Sequence, residues 1–472
     1  MLGGTRAVRA EEGQGVTGRA ARLWQSLFMA HPARTVVMAF AAAILLGTVL
    51  LALPAAAQEG TGTGLVTALF TATSAVCVTG LAVVDTGTYW SGFGEGTILA
   101  LIQVGGFGIM TTASLLALLV SGKLRLRMQL TAQAETKSLG IGDVRRVLLG
   151  VAGSTLAVEL AVGAFLALRF RFGYGRSVGD ATYLGFFHAV SAFNNAGFGL
   201  HADSLTRYAQ DPWVTLPIAV AVILGGLGFP VLLELLRHRE RRRGTGRRNW
   251  SLHTRLTLVT TAVLLLVGTV LTCLLEWTNE ETLGHFDWPA KLLNGFFHSA
   301  MTRTAGFNAV DVGAMTDATL LMTCMLMFVG GGSAGTAGGI KVTTFSLLAA
   351  AMLAEVRGEP QSVVMGRRIA PHALRQALTV ALAGIGFVMT ATLALLTVVD
   401  KPFESVLFEA VSAFGTVGLS TGITADVPAV GQLILILLMF VGRLGPITLV
   451  SALALRERTR RYQLPEERPV IG

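Results

Sequence analysis

Apolar residues along the chain fall into runs of two lengths, separated by short polar segments. A helix needs about 20 apolar residues to cross the hydrocarbon core of a bilayer. Eight runs reach that length, the sixth interrupted by glycines, and predict membrane-spanning helices at 36–53, 97–120, 147–168, 214–236, 256–275, 320–353, 377–399 and 432–455. Four shorter runs, here called half-spans, each lie between an odd-numbered span and the next, at 65–76, 182–193, 292–302 and 403–414.

The half-spans share a pattern in which a phenylalanine precedes a glycine by ten residues, or by nine in the third. The pairs are Phe70 and Gly80, Phe187 and Gly197, Phe297 and Gly306, and Phe408 and Gly418. Because a fixed period indicates a repeated structural unit, we predict an all-α polytopic membrane protein. It has four pseudo-repeated helix–pore-helix–helix units around one central pore, with eight transmembrane helices and four re-entrant half-helices.

This repeat divides the chain into six predicted parts. The four pore units are 34–121, 145–238, 251–353 and 371–455, flanked by a cytoplasmic N-terminal segment at 1–33 and a cytoplasmic tail at 456–472. A second small-residue cluster follows each glycine, beginning at Gly105, Gly225, Gly330 and Gly442. Small residues let helix backbones approach closely in membranes, and for the first two clusters we expect close packing alone.

Composition supports a membrane protein, since apolar residues make up 52% of the chain and charged residues 14%. The net charge of +9 does not indicate nucleic-acid binding, because 28 of the 37 basic residues fall in segments on one side of the predicted spans. By the positive-inside rule both termini are then cytoplasmic, which suits an even number of spans in the plasma membrane. The densest basic run, 237–248, is expected to set topology near anionic lipid headgroups or to dock a cytosolic partner.

The glycine-containing segments after the half-spans predict an ion pore. Non-helical backbone at membrane depth is tolerated only where protein buries it or water bathes it, and four such segments around one axis would turn their carbonyls to a shared pore. Backbone carbonyls can replace the hydration shell of a monovalent cation. These residues carry no charge, which favours K⁺ or Na⁺ over divalent ions: Val78, Thr79, Gly80, Asn195, Ala196, Gly197, Thr304, Ala305, Gly306, Thr416, Val417 and Gly418.

These four segments, at this period, resemble the filter segments of the Trk/Ktr/HKT superfamily of potassium transporters over about residues 33–455. Trk-type subunits carry two further N-terminal spans that this sequence does not show, so the resemblance is nearest to KtrB-type membrane subunits of bacterial Ktr systems. Relatives that favour Na⁺ often carry serine at the first filter position, where this chain has Gly80. The resemblance therefore implies K⁺ selectivity, although Cys77 stands where threonine is commoner.

The interrupted sixth span contains a predicted gate. Gly-rich sequence does not hold a stable helix, because each glycine costs about 1 kcal/mol relative to alanine. The resemblance likewise implies an intramembrane loop that blocks the pore below the filter. Its residues are Gly330, Gly331, Gly332, Ser333, Ala334, Gly335, Thr336, Ala337, Gly338, Gly339 and Lys341.

Three basic residues are predicted at membrane depth. A charge there costs about 2.5–3.5 kcal/mol on insertion scales, so Arg443 is expected to face the aqueous pore or a carboxylate, and the resemblance gives it a gating role. Lys341 is expected to extend towards the cytoplasm. Arg303 is expected to brace the third filter segment from behind, and Glu159, within the third span, is a possible partner for one of these bases.

The resemblance also implies a homodimer in the lipid bilayer and a cytosolic, nucleotide-binding regulatory ring of KtrA/TrkA type. The chain shows no nucleotide-binding motif of its own, so no organic cofactor is expected. K⁺ is the transported ion and the only metal expected, with Na⁺ as a possible stimulant.

Three alternatives were weighed. A Na⁺-permeable relative of the same superfamily stays open. An intramembrane enzyme would need paired Asp, Ser/His or metal ligands at membrane depth, and the sequence shows none, so no catalytic residue is expected. A transporter with inverted repeats is disfavoured because all four units run in the same direction.

Overall fold

The computed structural model describes residues 32–108, 111, 141–241 and 250–445. Helices dominate this part of the chain, and a small antiparallel hairpin joins β1 (Val363–Val364) to β2 (Arg367–Arg368). The longer helices, in chain order, are α1 (Pro32–Ala52), α2 (Leu65–Val76), α3 (92–108), α4 (Ile141–Tyr174), α5 (Val178–Phe193), α6 (Pro212–Leu227), α7 (Phe229–Arg241), α8 (Leu252–Glu276), α9 (Trp288–Met301), α10 (Asp317–Phe328), α11 (Val342–Val356), α12 (Pro371–Leu396), α13 (Phe403–Gly415) and α14 (Ala429–Leu444). Shorter helical turns occupy Pro54–Ala56, Thr86–Tyr89, Thr206–Tyr208 and Ile423–Asp426.

The four half-spans are the separate helices α2, α5, α9 and α13, of 12 to 16 residues. At about 1.5 Å per residue they are roughly 18–24 Å long, less than the hydrocarbon thickness of a bilayer. The phenylalanine that marks each one is fully buried, at 0% or 1% exposure, in all four helices. These helices therefore lie inside the protein.

Four helices, α1, α4, α8 and α12, are long and apolar enough to cross a membrane. A fifth span results if α6 and α7 are taken together across their 102° bend. The predicted sixth span is broken, since α10 and α11 are separated by residues 329–341. The predicted second span is helical over 92–108 and at Thr111, and the eighth over Ala429–Leu444, where it ends at Gly445; the other residues of both predicted spans, 109–110, 112–120 and 446–455, lie outside the described part.

The bend between α6 and α7 was not predicted, because 214–236 reads as one apolar run. Gly228 stands at the bend with φ +91°, a conformation that favours glycine. Pro230, in the first turn of α7, cannot donate a backbone hydrogen bond and so suits a new helix start. The expectation of close packing alone at the second small-residue cluster is therefore wrong.

Helices from the first and fourth units meet in the core. Helix α14 packs against its own neighbour α13 and against α2 from the beginning of the chain. Helix α10 packs against α13 in the same way, while α6 packs against α9. The half-span helices are thus surrounded by helices that belong to different parts of the sequence.

Candidate functional site

The segments that follow α2, α5, α9 and α13 have one backbone shape. Two residues before each glycine stands a non-glycine residue in the left-handed region: Val78, Asn195, Thr304 and Thr416, with φ between +50° and +67°. The glycines themselves, Gly80, Gly197, Gly306 and Gly418, have φ between +69° and +92°. Left-handed backbone at a non-glycine residue costs about 1–3 kcal/mol, so its repetition four times indicates a functional constraint.

The four glycines close a ring. A Cβ on Gly197 would lie 2.7 Å from the carbonyl oxygen of Ala305, which belongs to the next segment. Likewise a Cβ on Gly80 would meet the oxygen of Ala196, one on Gly306 that of Val417, and one on Gly418 that of Thr79. The contacts therefore run from segment one to two, three, four and back to one, as expected for four segments around a common axis.

Backbone amides in these segments turn away from the ring. The N–H groups of Thr79, Ala196 and Val417 donate at 2.7–2.8 Å to the oxygens of Ser74, Ser191 and Ser412 in the preceding helices. In the third segment, which is one residue shorter, Ala305 donates instead to Met301, at 3.0 Å. Within the described residues none of the twelve carbonyls accepts a hydrogen bond, which leaves their oxygens free for a cation.

An open cavity of about 370 Å³ lies over the ring and is lined by all four glycines. Asp85 and Asp311 line it too, and neither belongs to an ion pair among the described residues. Asp203 lines a neighbouring cavity of about 540 Å³, 2.6 Å from the Arg207 guanidinium. That guanidinium lowers the pKa of Asp203 and offsets its charge, so Asp85 and Asp311 are the better sources of negative potential at this mouth.

The residues 330–341 form a loop between α10 and α11 whose two stems are held together. Gly330 donates its N–H to the Ile340 oxygen at 2.8 Å, and Val342 donates to Gly331 at 3.0 Å. The same loop docks on the end of α6. Its amides at Gly332 and Thr336 donate to Gly226 and Gly225, at 2.7 and 3.2 Å. These two carbonyls are available because α6 ends at the Gly228 bend.

The loop lies directly against the glycine segments. The Thr336 hydroxyl donates to Oδ1 of Asn195 at 2.8 Å, inside the buried core. A Cβ on Gly338 would meet the hydroxyl of Thr416, and one on Gly330 would lie 3.3 Å from Cγ2 of Thr304. The predicted gate residues thus contact three of the four predicted filter segments.

Arg443 and Lys341 bind backbone oxygens of this region. Arg443 is 4% exposed and donates to the oxygens of Thr336 and Gly105, the latter at 3.4 Å. Within the described chain it has no carboxylate partner, contrary to one of the two expectations. Lys341 was expected to extend towards the cytoplasm, but its ammonium group donates to Ala337 and Gly338. The non-helical loop thus supplies backbone carbonyls to both cations, while Nε of Arg443 has no partner among the described residues.

Arg303 is buried behind the third segment and donates to the Val329 oxygen at 3.2 Å, at the start of the loop. Its own carbonyl accepts a hydrogen bond from the Asn195 amide, also at 3.2 Å. Glu159 has no basic partner among the described residues. It accepts hydrogen bonds from Asn194 at 2.9 Å and Gln103 at 3.3 Å, so the proposed pairing with a base is not found.

Two carboxylates that are at most 1% exposed were not predicted from the sequence. Glu276, at the end of α8, accepts bonds from Asn279, Thr282, Thr316 and Thr319 and is fully buried. Glu409, in α13, accepts bonds from hydroxyl groups that follow Gly418. The available signal was a lone acidic residue within or beside an apolar run, which is costly at membrane depth and indicates a specific partner.

Known proteins resemble this chain over nearly all of its length. The family model of TrkH, described as a cation transport protein, matches residues 16–459. The Ktr system potassium uptake protein B of Bacillus subtilis is 39% identical over 91% of this chain and 95% of that protein. The potassium/sodium uptake protein NtpJ of Enterococcus hirae is 33% identical over 93% of this chain and 97% of its own.

The crystal structure of the potassium transporter TrkH from Vibrio parahaemolyticus has a TM-score of 0.69 to this chain at 17% identity. The match covers 89% of this chain and 84% of that one, and at such identity it shows a common fold. The resemblance predicted from the four glycine segments is thereby confirmed. By sequence and by fold, the chain belongs to the TrkH family of cation transport proteins.

Proposed function

We propose that this chain takes up K⁺ across the plasma membrane through the ring of four glycine segments. The observation that carries the proposal is the closed ring itself, in which each glycine abuts a carbonyl oxygen of the next segment. Twelve oxygens without protein donors around one axis can replace the water shell of a monovalent cation. Glycine in all four segments supports a preference for K⁺, as does the name of the B. subtilis relative.

The architecture we propose is the full fourfold one, with eight spans and four re-entrant helices. Each unit supplies one glycine segment, and the units are 34–121, 145–238, 251–353 and 371–455. Helix 92–108 and α14 serve as the described parts of the second and eighth spans. Helices α10 and α11 together form the sixth, broken at membrane depth where the loop lines the pathway.

The loop 330–341 acts as the gate. Its contacts with Asn195, Thr304 and Thr416 put it next to the segments that hold the ion. Arg443 holds the loop through the Thr336 oxygen, and its positive charge adds an electrostatic barrier to a cation. Opening requires the loop to leave this position.

Control comes from outside the chain in this proposal. The name of the B. subtilis relative refers to a system and to its component B, which supports a multi-subunit assembly. We propose a cytosolic nucleotide-binding regulatory ring of KtrA/TrkA type, a homodimer of this chain, and both termini in the cytoplasm. Na⁺ is a candidate stimulant, and the basic run 237–248, of which 242–248 lies outside the described residues, is a candidate docking segment.

A second candidate function is Na⁺ permeation or Na⁺ coupling. This function is favoured by the name of the E. hirae relative, a potassium/sodium uptake protein. The two functions differ in which ion accumulates when both are supplied at low concentration.

The test is uptake by the full-length chain in cells that lack their own K⁺ uptake, with and without a co-expressed regulatory subunit. The proposal predicts growth at low external K⁺ and accumulation of K⁺ in preference to Na⁺. Equal accumulation of both ions favours the second function. A correctly inserted protein that moves neither ion, with or without the subunit, refutes both.

A further inference from the structure

The residue after the marker phenylalanine lies at one equivalent place in each half-span helix. It is Thr71, His188, His298 or Glu409, and all four are buried, with at most 3% exposure. The position is structurally repeated, but the four side chains differ in charge and hydrogen-bonding capacity. Their contacts therefore show how each unit supports the segment that follows its glycine.

Glu409 holds the segment that follows Gly418. Its Oε1 accepts a hydrogen bond from the Ser420 hydroxyl, and its Oε2 accepts one from Thr424 at 2.9 Å. The same Ser420 oxygen accepts the Gly422 N–H at 2.9 Å. The carboxylate thus connects helix α13 to a turn that starts two residues beyond the ring glycine.

No other unit has this brace among the described residues. His188 faces the corresponding place, since its Nε2 lies 3.4 Å from where a Cβ on Gly199 would stand, but that nitrogen has no partner. The Nε2 of His298 is 2.9 Å from the hydroxyl of Thr323 in α10 and supports a helix instead. The fourth segment is the one that a charged side chain fastens to its own half-span helix.

We propose that Glu409 is a positioning residue that sets the K⁺ over Na⁺ preference of the pore, an inference that rests on the proposed function. Gly418 has φ +90° and abuts the oxygen of Thr79. Its carbonyl can only hold that orientation if the chain on both sides is fixed. Ser412 fixes the amide of Gly418 at 3.1 Å, and Glu409 fixes the turn that follows.

The chain before Gly418 and the chain after it together set the position of the carbonyl oxygen that meets the ion. Carbonyl oxygens discriminate between K⁺ and the smaller Na⁺ through the number of oxygens, their field strength and the size of the site they form. A segment free to relax inward on one side of the ring would accommodate Na⁺ better. Glutamine at 409 would keep one acceptor oxygen but turn an NH₂ donor towards the other hydroxyl, so one of the two bonds is lost and the turn is released.

The experiment compares Glu409→Gln with Glu276→Gln in the full-length chain, with K⁺ and Na⁺ as the ions supplied. Glu276 is a matched control because it too is a buried carboxylate that accepts hydroxyl bonds, yet it joins α8 to the start of α10, outside the ring. We expect Glu409→Gln to lower the ratio of K⁺ to Na⁺ uptake by about fivefold or more. Glu276→Gln should change only the amount of protein in the membrane. Glu409→Asp, which keeps the charge, should restore part of the ratio.

Two further variants decide the question if Glu409→Gln does not reach the membrane. Ser420→Ala and Thr424→Val each remove one bond to the carboxylate and should lower the same ratio. The inference is overturned if Glu409→Gln, or both of these variants, keeps the wild-type ratio while wild-type protein transports K⁺ selectively. Failure of the proposed function looks different, since the wild-type chain itself then shows no K⁺ uptake.

Discussion

The glycine ring and the layer directly beneath it are built from the same four repeats. The layer consists of the small-residue clusters that begin at Gly105, Gly225, Gly330 and Gly442. The ring has one backbone shape in all four repeats, whereas the layer does not. In the ring, all four segments have left-handed backbone at the same two positions, and each contacts the next. Beneath it, the first cluster is helical as far as Gly108, the chain bends by 102° at Gly228 after the second, the third opens into the loop 330–341, and the fourth carries Arg443.

Three of the four clusters in this layer still share one contact. A Cβ on Gly105, Gly225 or Gly442 would meet the last-turn carbonyl of a half-span helix, that of Val76, Phe193 or Phe414. Close packing of these small residues therefore holds three of the four half-span helices in place. Three residues later the second and fourth clusters also share a helix end, at Gly228 and Gly445 with φ +91° and +82°, and the remaining features differ between clusters.

The difference follows from what each layer has to do. An ion on a central axis is coordinated from all sides, so every segment must present its oxygens alike. A gate needs one obstacle, and three identical copies of it would add nothing. Under the proposed function, symmetry is therefore kept where the ion binds and lost where its passage is controlled.

The largest effect is expected from breaking the symmetry of the ring with Gly418→Ser. A side chain there adopts an unfavourable φ and collides with the Thr79 oxygen. Strain of about 3 kcal/mol corresponds to about a hundredfold change, and we expect a loss of K⁺ over Na⁺ preference of that order. Uptake of both ions from one mixture measures it.

Gly366→Ser is the control for this variant. Gly366, between β1 and β2, has φ +76°, so the backbone strain is comparable, but a Cβ there meets nothing within 4 Å. Equal loss of selectivity in both variants would mean that general strain, and not the ring contact, is responsible.

Removing residues 332–338 breaks the asymmetry of the lower layer. Because the stems pair in parallel at Val329 and Ile340, joining residue 331 to residue 339 removes that pairing together with the residues that contact Asn195 and Thr416. We expect K⁺ flux to rise by about tenfold or more, because the closed state loses its obstacle. Flux into vesicles containing the purified protein measures this. A drop in flux from a correctly inserted variant would show that the loop does not obstruct the pathway.

Arg443→Ala tests the fastening of the loop. A hydrogen bond that involves a charged group contributes about 1.5–3 kcal/mol, and the variant loses the bond to Thr336 together with the positive charge. We expect flux to rise by about tenfold. Arg443→Lys, which keeps the charge but not the planar donor group, separates the two contributions. An unchanged rate in Arg443→Ala would remove its proposed role as a barrier.

The smallest effect is expected from Thr336→Val, which nearly preserves volume. It removes the hydroxyl that joins the loop to Asn195 at 2.8 Å. One neutral hydrogen bond contributes about 1 kcal/mol, so flux should rise by about fivefold. Thr343→Val, which removes the outer bond to Ser333 at 3.1 Å, is the matched change away from the ring. Equal increases in flux in both variants would show that a different contact of the loop, and not the Thr336–Asn195 hydrogen bond, holds it in place.

Sequence periodicity was sufficient to locate the half-span helices. The predicted 65–76 coincides with Leu65–Val76, while α5 and α9 begin four residues before the predicted 182 and 292. Each extra turn contains one charged residue, Asp180 or Lys291. The turn of α5 starts at the Ser177 hydroxyl, which accepts the Asp180 N–H at 3.1 Å, and that of α9 has a proline as its second residue. Hydrophobicity alone does not detect such turns.

Partnerships across the fold could not be predicted in the same way. The clusters at Gly105 and Gly225 read alike in the sequence, and only the following Phe229–Pro230 distinguishes the one that bends. The acceptors of Arg443 lie 107 and 338 residues away along the chain. Such contacts depend on which carbonyls the fold leaves free, and no local pattern records them.

We expect the four segments to act as one ion-binding site. The most direct measurement is the ratio of K⁺ to Na⁺ uptake in four single variants. Each glycine of the ring, Gly80, Gly197, Gly306 and Gly418, is replaced by serine in turn in the full-length chain. Because every one abuts a carbonyl of its neighbour, the account predicts that all four variants lose K⁺ preference. A loss confined to one segment, or absent from all four in correctly inserted protein, would contradict it.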